Sequence, residues 1–249
     1  MARPPAHEAI AGALRDAQRA VALTGLRLGG FEREDLTAAR GEWSRRASLE
    51  AFLTEPSRFW EYYYPAARAI LEREPGPGHH ALARLQQRGA LSSLITQAVD
   101  RLHSGAGSTD VIEVYGSVLT HRCQRCAERY GLPEVGTLLE VSRDGIPRCD
   151  DPDCDYPLRP EGTLWGEPLP ETAVMQAWEL AGRADLLVVI DSDLRTAPIS
   201  LLPSVPLTRG AQLIIIGREP TQYDRYARLV TREHSEELLV AIADAIDPP

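Results

Sequence analysis

The chain has 249 residues, enough for one large domain with a small inserted module and a full core without disulfide help. Its 27 basic and 36 acidic residues leave a net charge of −9, which argues against a sequence-independent grip on nucleic acid or on an anionic membrane. Lysine and asparagine are both absent, a bias that a G+C-rich genome explains.

In chain order, the start carries no apolar leader, and no apolar run approaches the roughly 18 residues of a membrane span, so a cytoplasmic location is expected. A helix is predicted over 7–18 and a buried strand over 19–25. The segment 31–75 reads as helical, with an aromatic knot at Phe59, Trp60, Tyr62, Tyr63 and Tyr64 that is a candidate partner surface but fits packed core better. A Pro/Gly turn over 74–78 leads into a helix over 79–88. Apolar runs at 92–99, 111–117, 184–192 and 210–217 read as further strands buried on both faces. Helices are predicted over 171–182 and 235–246, the latter with Ser235 as its N-cap and acidic residues in its first turn. Strand–helix alternation of this kind predicts an α/β fold with a doubly wound parallel sheet, Rossmann-like.

The only cysteines are Cys123, Cys126, Cys149 and Cys154, all within the polar, turn-rich segment 118–160. Two close pairs of thiols 22 residues apart are how a tetrahedral structural zinc site is assembled, so an inserted four-cysteine zinc ribbon is expected. The alternative is four reduced thiols with no metal, since Asp150, Asp151, Asp153 and Asp155 crowd the second pair with charge.

The order of the pieces resembles the sirtuin family over nearly the whole chain. They are a strand ending Leu23-Thr24-Gly25, then Thr96-Gln97-Ala98-Val99-Asp100, Tyr115-Gly116, the cysteine ribbon, Gly166-Glu167 and Glu219-Pro220-Thr221. The resemblance implies a Rossmann-like large domain of about 1–30, 76–117 and 161–249, with a small domain built from 31–75 and 118–160. It also implies NAD-dependent removal of acyl groups from lysine side chains, with NAD across the carboxyl ends of the strands and a histidine as general base. Residues matching family contacts are Gly25, Gln97, Asp100 and Ser192, expected as a vestigial cofactor site.

Several motif positions depart from the family. Arg27 stands where a second glycine lets the backbone approach phosphate, and Ala98 replaces an asparagine near the nicotinamide ribose. Tyr115 holds the place of the histidine: a phenol with a pKa near 10 is ionised to only about one part in a thousand at pH 7, so it is a poor base. The stretch 30–34 has no counterpart to the family's lid, which is expected to be absent. Asp191-Ser192-Asp193-Leu194 replaces a small-residue phosphate cradle, aiming two carboxylates at the phosphate site, where Arg27 or Arg195 would tie them into a plug. Gly217 replaces an asparagine that contacts the adenosine ribose. Gly162, Thr163 and Trp165 replace the valines and phenylalanine that grip the acyl peptide. His103 and His121 are expected at the surface or as caps.

This pattern favours a pseudoenzyme, a binding or assembly module for an unidentified protein partner, with zinc as its structural ion and NAD an open question. The alternatives are an active NAD-dependent deacylase or ADP-ribosyltransferase with a rearranged pocket, acting on an acyl-lysine peptide, and a nucleotide sensor.

Overall fold

The computed structural model describes residues 4–26, 28 and 41–246. Arg27 and the segment 29–40, where the family's lid was expected to be missing, lie outside the described residues.

Among the described residues, six strands form one parallel sheet: β1 (Ala20–Thr24), β2 (Ser93–Thr96), β3 (Val111–Glu113), β7 (Leu186–Ile190), β8 (Gln212–Ile216) and β9 (Leu229–Thr231). Their order is β3-β2-β1-β7-β8-β9, with parallel registers throughout. β1, β2 and β7 are buried at every position, which is why their sequences are continuous apolar runs instead of alternating ones. One face packs on α1 (Ala6–Asp16), α4 (Pro77–Gln87) and α9 (Ser235–Ile246) through Ile10, Leu14, Leu82, Leu239 and Ile242. The other packs on α7 (Glu171–Arg183) through Ala177 and Ala181. The chain runs outward from β1 through β2 to β3, then outward again from β7 through β8 to β9. The direction therefore reverses between β1 and β7, the crevice where ligands bind in open α/β sheets.

The smaller lobe has its own antiparallel sheet, β5-β4-β6, from β4 (Thr120–Cys123), β5 (Arg129–Gly131) and β6 (Leu158–Pro160), with α6 (Leu132–Val141) following β5. It rests on a helical turn at 41–46, α2 (Leu49–Thr54) and α3 (Pro56–Leu71). The aromatic knot is the floor of this lobe, not a free surface: Phe59, Trp60 and Tyr63 are buried against Val118, Tyr130, Val135 and Leu158. The Tyr63 hydroxyl donates to the Val118 carbonyl at 2.8 Å, tying the helices to the segment that enters the metal lobe.

Some expectations are corrected. The run 111–117 stops as a strand at Glu113, because Gly116 takes a left-handed turn (φ 66°) and a Cβ there would sit 2.5 Å from the Glu161 carbonyl oxygen. The run 92–99 likewise ends at Thr96. Ser235 is the first helical residue of α9, and its hydroxyl donates to Asp191 Oδ2 instead of capping the helix. Edge strand β9, absent from the expected set, joins the sheet as three residues between Arg228 and Arg232. No described helix is long and apolar enough to cross a membrane.

Candidate functional site

The carboxyl ends of β1, β2 and β7 meet at the crevice. Gly25 N–H donates to the Ile190 carbonyl at 2.8 Å, and Gln97 N–H donates to the Thr24 carbonyl at 2.9 Å. A Cβ on Gly25 would lie 2.0 Å from the Asp191 carbonyl oxygen, so the two strand ends are close enough that only glycine fits. Across this junction Ser192 Oγ donates to Gln97 Oε1 at 2.7 Å, and both residues are buried. Gly25, Gln97 and Ser192, far apart in sequence, thus form one patch. Asp100 is set apart from it. Its Oδ1 accepts from Leu102 N–H at 3.0 Å, opening the short helix α5 (Leu102–Gly105), and burial raises its pKa.

Tyr115 lies just past β3. Its ring is partly buried against the α7-side core, and its carbonyl accepts from Thr163 N–H at 2.8 Å. The Tyr115–Gly116 turn is therefore sewn to the 161–163 strip that leads to Trp165. Trp165 is 56% exposed, and its carbonyl accepts from Leu49 N–H. Two residues before Tyr115, burial pushes the Glu113 carboxyl up to about 7, with Asp100 adding to the rise and Arg101 opposing it.

Of the two arginines expected to tie the acidic loop into a plug, Arg27 lies outside the described residues and Arg195 lies 4.0 Å from Asp193 and 3.8 Å from Glu219. The Asp191 carboxylate accepts from Ser235 in the first turn of α9. Asp191 holds a left-handed backbone (φ 50°), the conformation glycine adopts most readily and Asp tolerates. Gly217 faces it: a Cβ there would lie 3.2 Å from both Asp191 N and Asp191 Oδ1. A side chain at 217 would therefore crowd Asp191.

A buried polar network behind the crevice was not read from the sequence. Thr24 Oγ1 donates to Thr96 Oγ1 at 2.8 Å and lies 2.9 Å from His103 Nε2, while Thr96 Oγ1 accepts from Ala98 N–H. His79 packs on His103 with ring centroids 4.8 Å apart and the rings tilted at 57°, and its Nδ1 accepts from Gly76 N–H. Burial lowers the pKa of His79 to about 4 and of His103 to about 3, so both are neutral at pH 7. His103 and His121 are 2% and 0% exposed, correcting their expected surface roles; His121 packs on Trp60 and Tyr63. The available signal was the Thr ending both runs, which are paired in register.

The metal lobe converges fully. The four cysteine Sγ atoms lie within 4.8 Å of one another, with Cys123–Cys154 at 3.5 Å and Cys126–Cys149 at 3.6 Å, too long for disulfides and suited to four thiolates around one ion. Tyr130 Oη donates to Cys149 Sγ at 3.1 Å and also bonds Asp150, supporting the ligand set from outside.

Comparison with known proteins gives one answer. Residues 39–198 match the model of the Sir2 family. An NAD-dependent protein deacetylase 1 of Pyrobaculum aerophilum is 34% identical over 216 residues, 85% of this chain and 83% of that protein. A solved Sir2 bound to an acetylated peptide superposes with a TM-score of 0.84 at 29% identity, over 98% of this chain and all of the other. A Sir2 mutant with one histidine replaced by tyrosine, in complex with a p53 peptide and NAD, superposes with a TM-score of 0.83 at 29% identity, over 96% and 98%.

Proposed function

The chain belongs to the Sir2 family of NAD-dependent protein deacylases, and from that premise we propose that it binds NAD across the β1–β7 crevice and removes acyl groups from lysine side chains slowly. The observation that carries the reading is the Ser192–Gln97 hydrogen bond, which joins two matching nucleotide-site residues across the strand ends beside Gly25. A Sir2 mutant with tyrosine for one histidine, solved with p53 peptide and NAD, shows that an exchange of this type is compatible with both ligands in that protein.

NAD, when bound, supplies the group that accepts the acyl chain. Of this chain's own residues, Gly25 lets the end of β1 close on the Asp191–Ser192 backbone at the floor of the crevice, and Ser192 and Gln97 fix each other. Tyr115 replaces the proton acceptor and is the reason for slow turnover; loss of a general base costs about 10²–10⁴-fold in rate. The peptide would lie along the Thr163–Trp165 strip. We assign zinc to Cys123, Cys126, Cys149 and Cys154 as a closed structural site: four thiolates leave no open position for catalysis. The division into a large domain (about 1–30, 76–117 and 161–249) and a small one (31–75 and 118–160) is part of the same reading, supported by the separate core that joins residues 47–67 with 118–164.

A second reading, a binding or assembly module without turnover, is favoured by Tyr115 together with Ala98. Incubation of the wild type and of Tyr115→His with NAD and an acetyl-lysine peptide, following nicotinamide release and deacetylated product, separates the two. Slow turnover in the wild type that the substitution raises supports the deacylase. No turnover in either protein supports the module.

A further inference from the structure

Arg122 of β4 lies directly opposite Arg129 of β5 on one side and Arg159 of β6 on the other. Opposed residues of antiparallel strands project from the same face, so three arginines form a row across the lobe's sheet. The alternate positions His121, Cys123, Tyr130 and Leu158 are buried, which puts the row on the outward face. Like charges placed opposite one another destabilise a sheet, and two of the three arginines are answered by acids. Arg129 Nε donates to Glu161 Oε1 at 3.1 Å, and Arg159 Nη2 donates to both carboxylate oxygens of Glu167 at 2.9 Å. Arg122, in the middle, is exposed and has no acid partner among the described residues. Three arginines against two glutamates leave the row with one cation to spare.

Arg122 and Arg159 line a cavity of about 290 Å³ together with Glu161, Thr163 and Glu167, and Pro168 and Pro170 stiffen its wall. The Thr163 hydroxyl is buried and has no hydrogen-bond partner among the described residues. Thr163 also begins the strip along which the acyl peptide would lie, so the cavity adjoins that strip. Its volume is at the low end, about 300 Å³, of what small-ligand sites offer, which suits a single amino-acid side chain.

Resting on the deacylase reading above, we propose that this cavity is a specificity subsite for an acidic side chain of the substrate: the carboxylate of an Asp or Glu flanking the acyl-lysine takes the place of the acid that Arg122 lacks and accepts from the Thr163 hydroxyl. A planar guanidinium matches a carboxylate with two parallel N–H donors. Arg159 is already closed by Glu167, so Arg122 is the group that selects. A basic flanking residue would meet the spare cation and bind less well.

The test is fluorescence anisotropy of the zinc-loaded protein with labelled, C-terminally amidated acetyl-lysine peptides. Glu, Gln or Lys replaces each flanking residue of an otherwise uncharged sequence in turn, so that the placed Glu is the only free carboxylate. Wild type is expected to bind the Glu peptide about fivefold more tightly than the matching Gln peptide at one position, the scale of a partly exposed charged bond, and to lose that ratio as salt rises. Arg122→Gln should bring the ratio to about one and leave affinity for the Gln peptides unchanged. Arg122→Lys, which keeps the charge without the fork, should leave it at about twofold. Melting temperature and zinc content confirm that each variant is folded. Equal affinity for Glu and Gln at every position in a wild type that binds the peptides overturns this proposal alone. A Glu preference that survives unchanged in folded Arg122→Gln does the same. A folded wild type that binds none of the peptides overturns the deacylase reading as well.

Discussion

The metal lobe and the nucleotide edge carry their family likeness in different ways. In the lobe the chemistry is kept whole, since all four thiols converge and Tyr130 buttresses one of them. At the nucleotide edge the strand ends meet closely, Gly25 on the end of β7, and Asp191, Gly217 and Tyr115 are the residues that the sequence reading sets apart from the family pattern. A metal site with one ligand missing loses most of its affinity, so its parts stand or fall together. A crevice lined by turns has no such all-or-none requirement.

The largest effect expected from breaking the lobe is loss of its ion. Chelation, or Cys149→Ser, should remove about one zinc per chain by mass spectrometry and unfold β4–β6, as binding energies of roughly 10–16 kcal/mol in small zinc modules imply. The sheet core over Ile10, Leu82 and Leu239, which makes no use of the ion, should keep its amide protection.

At the nucleotide edge the sharpest single change is Tyr115→His, expected to raise deacylation by about 100-fold, the low end of what a general base contributes. An intermediate effect comes from pH. His79, His103 and His121 are neutral in the fold and take up protons near 6.5 when unfolded, so their contribution to stability is lost as pH falls from 6.5 toward 4. Glu113 runs the other way: its raised pKa means the fold binds a proton between about 7 and 4.5 that the unfolded chain does not. Three histidines against one glutamate leave a net loss of roughly 2.7 kcal/mol per pH unit across this range, and Glu113→Gln should make the fall about 1.5 times as steep. Urea unfolding at pH 7, 6 and 5 measures both slopes, and equal slopes in the two proteins would contradict the assignment. The smallest effect is Tyr63→Phe, which removes one buried hydrogen bond to Val118 and should cost about 1 kcal/mol in the lobe's attachment, read as a lowered melting temperature.

Five of the six sheet strands were legible because burial on both faces writes itself as apolar runs such as Leu186–Ile190. β9 was not, since three edge residues flanked by arginines make no run. The lobe's strands were hidden for a similar reason: β4 reads Thr-His-Arg-Cys, and its pairing depends on β5 and β6 closing around the cysteines. The cysteines themselves were legible from spacing alone. The histidine pair was not, because His79 and His103 look like polar residues until the fold buries them against each other. Nor was the direction of Asp191, which is decided by Ser235, 44 residues later in the chain.

The central claim is that the altered edge still holds a nucleotide. Calorimetric titration of the zinc-loaded protein with NAD at low salt tests it most directly: the account predicts saturable heat at micromolar affinity and a raised melting temperature, and no heat with an unshifted melting temperature would contradict it.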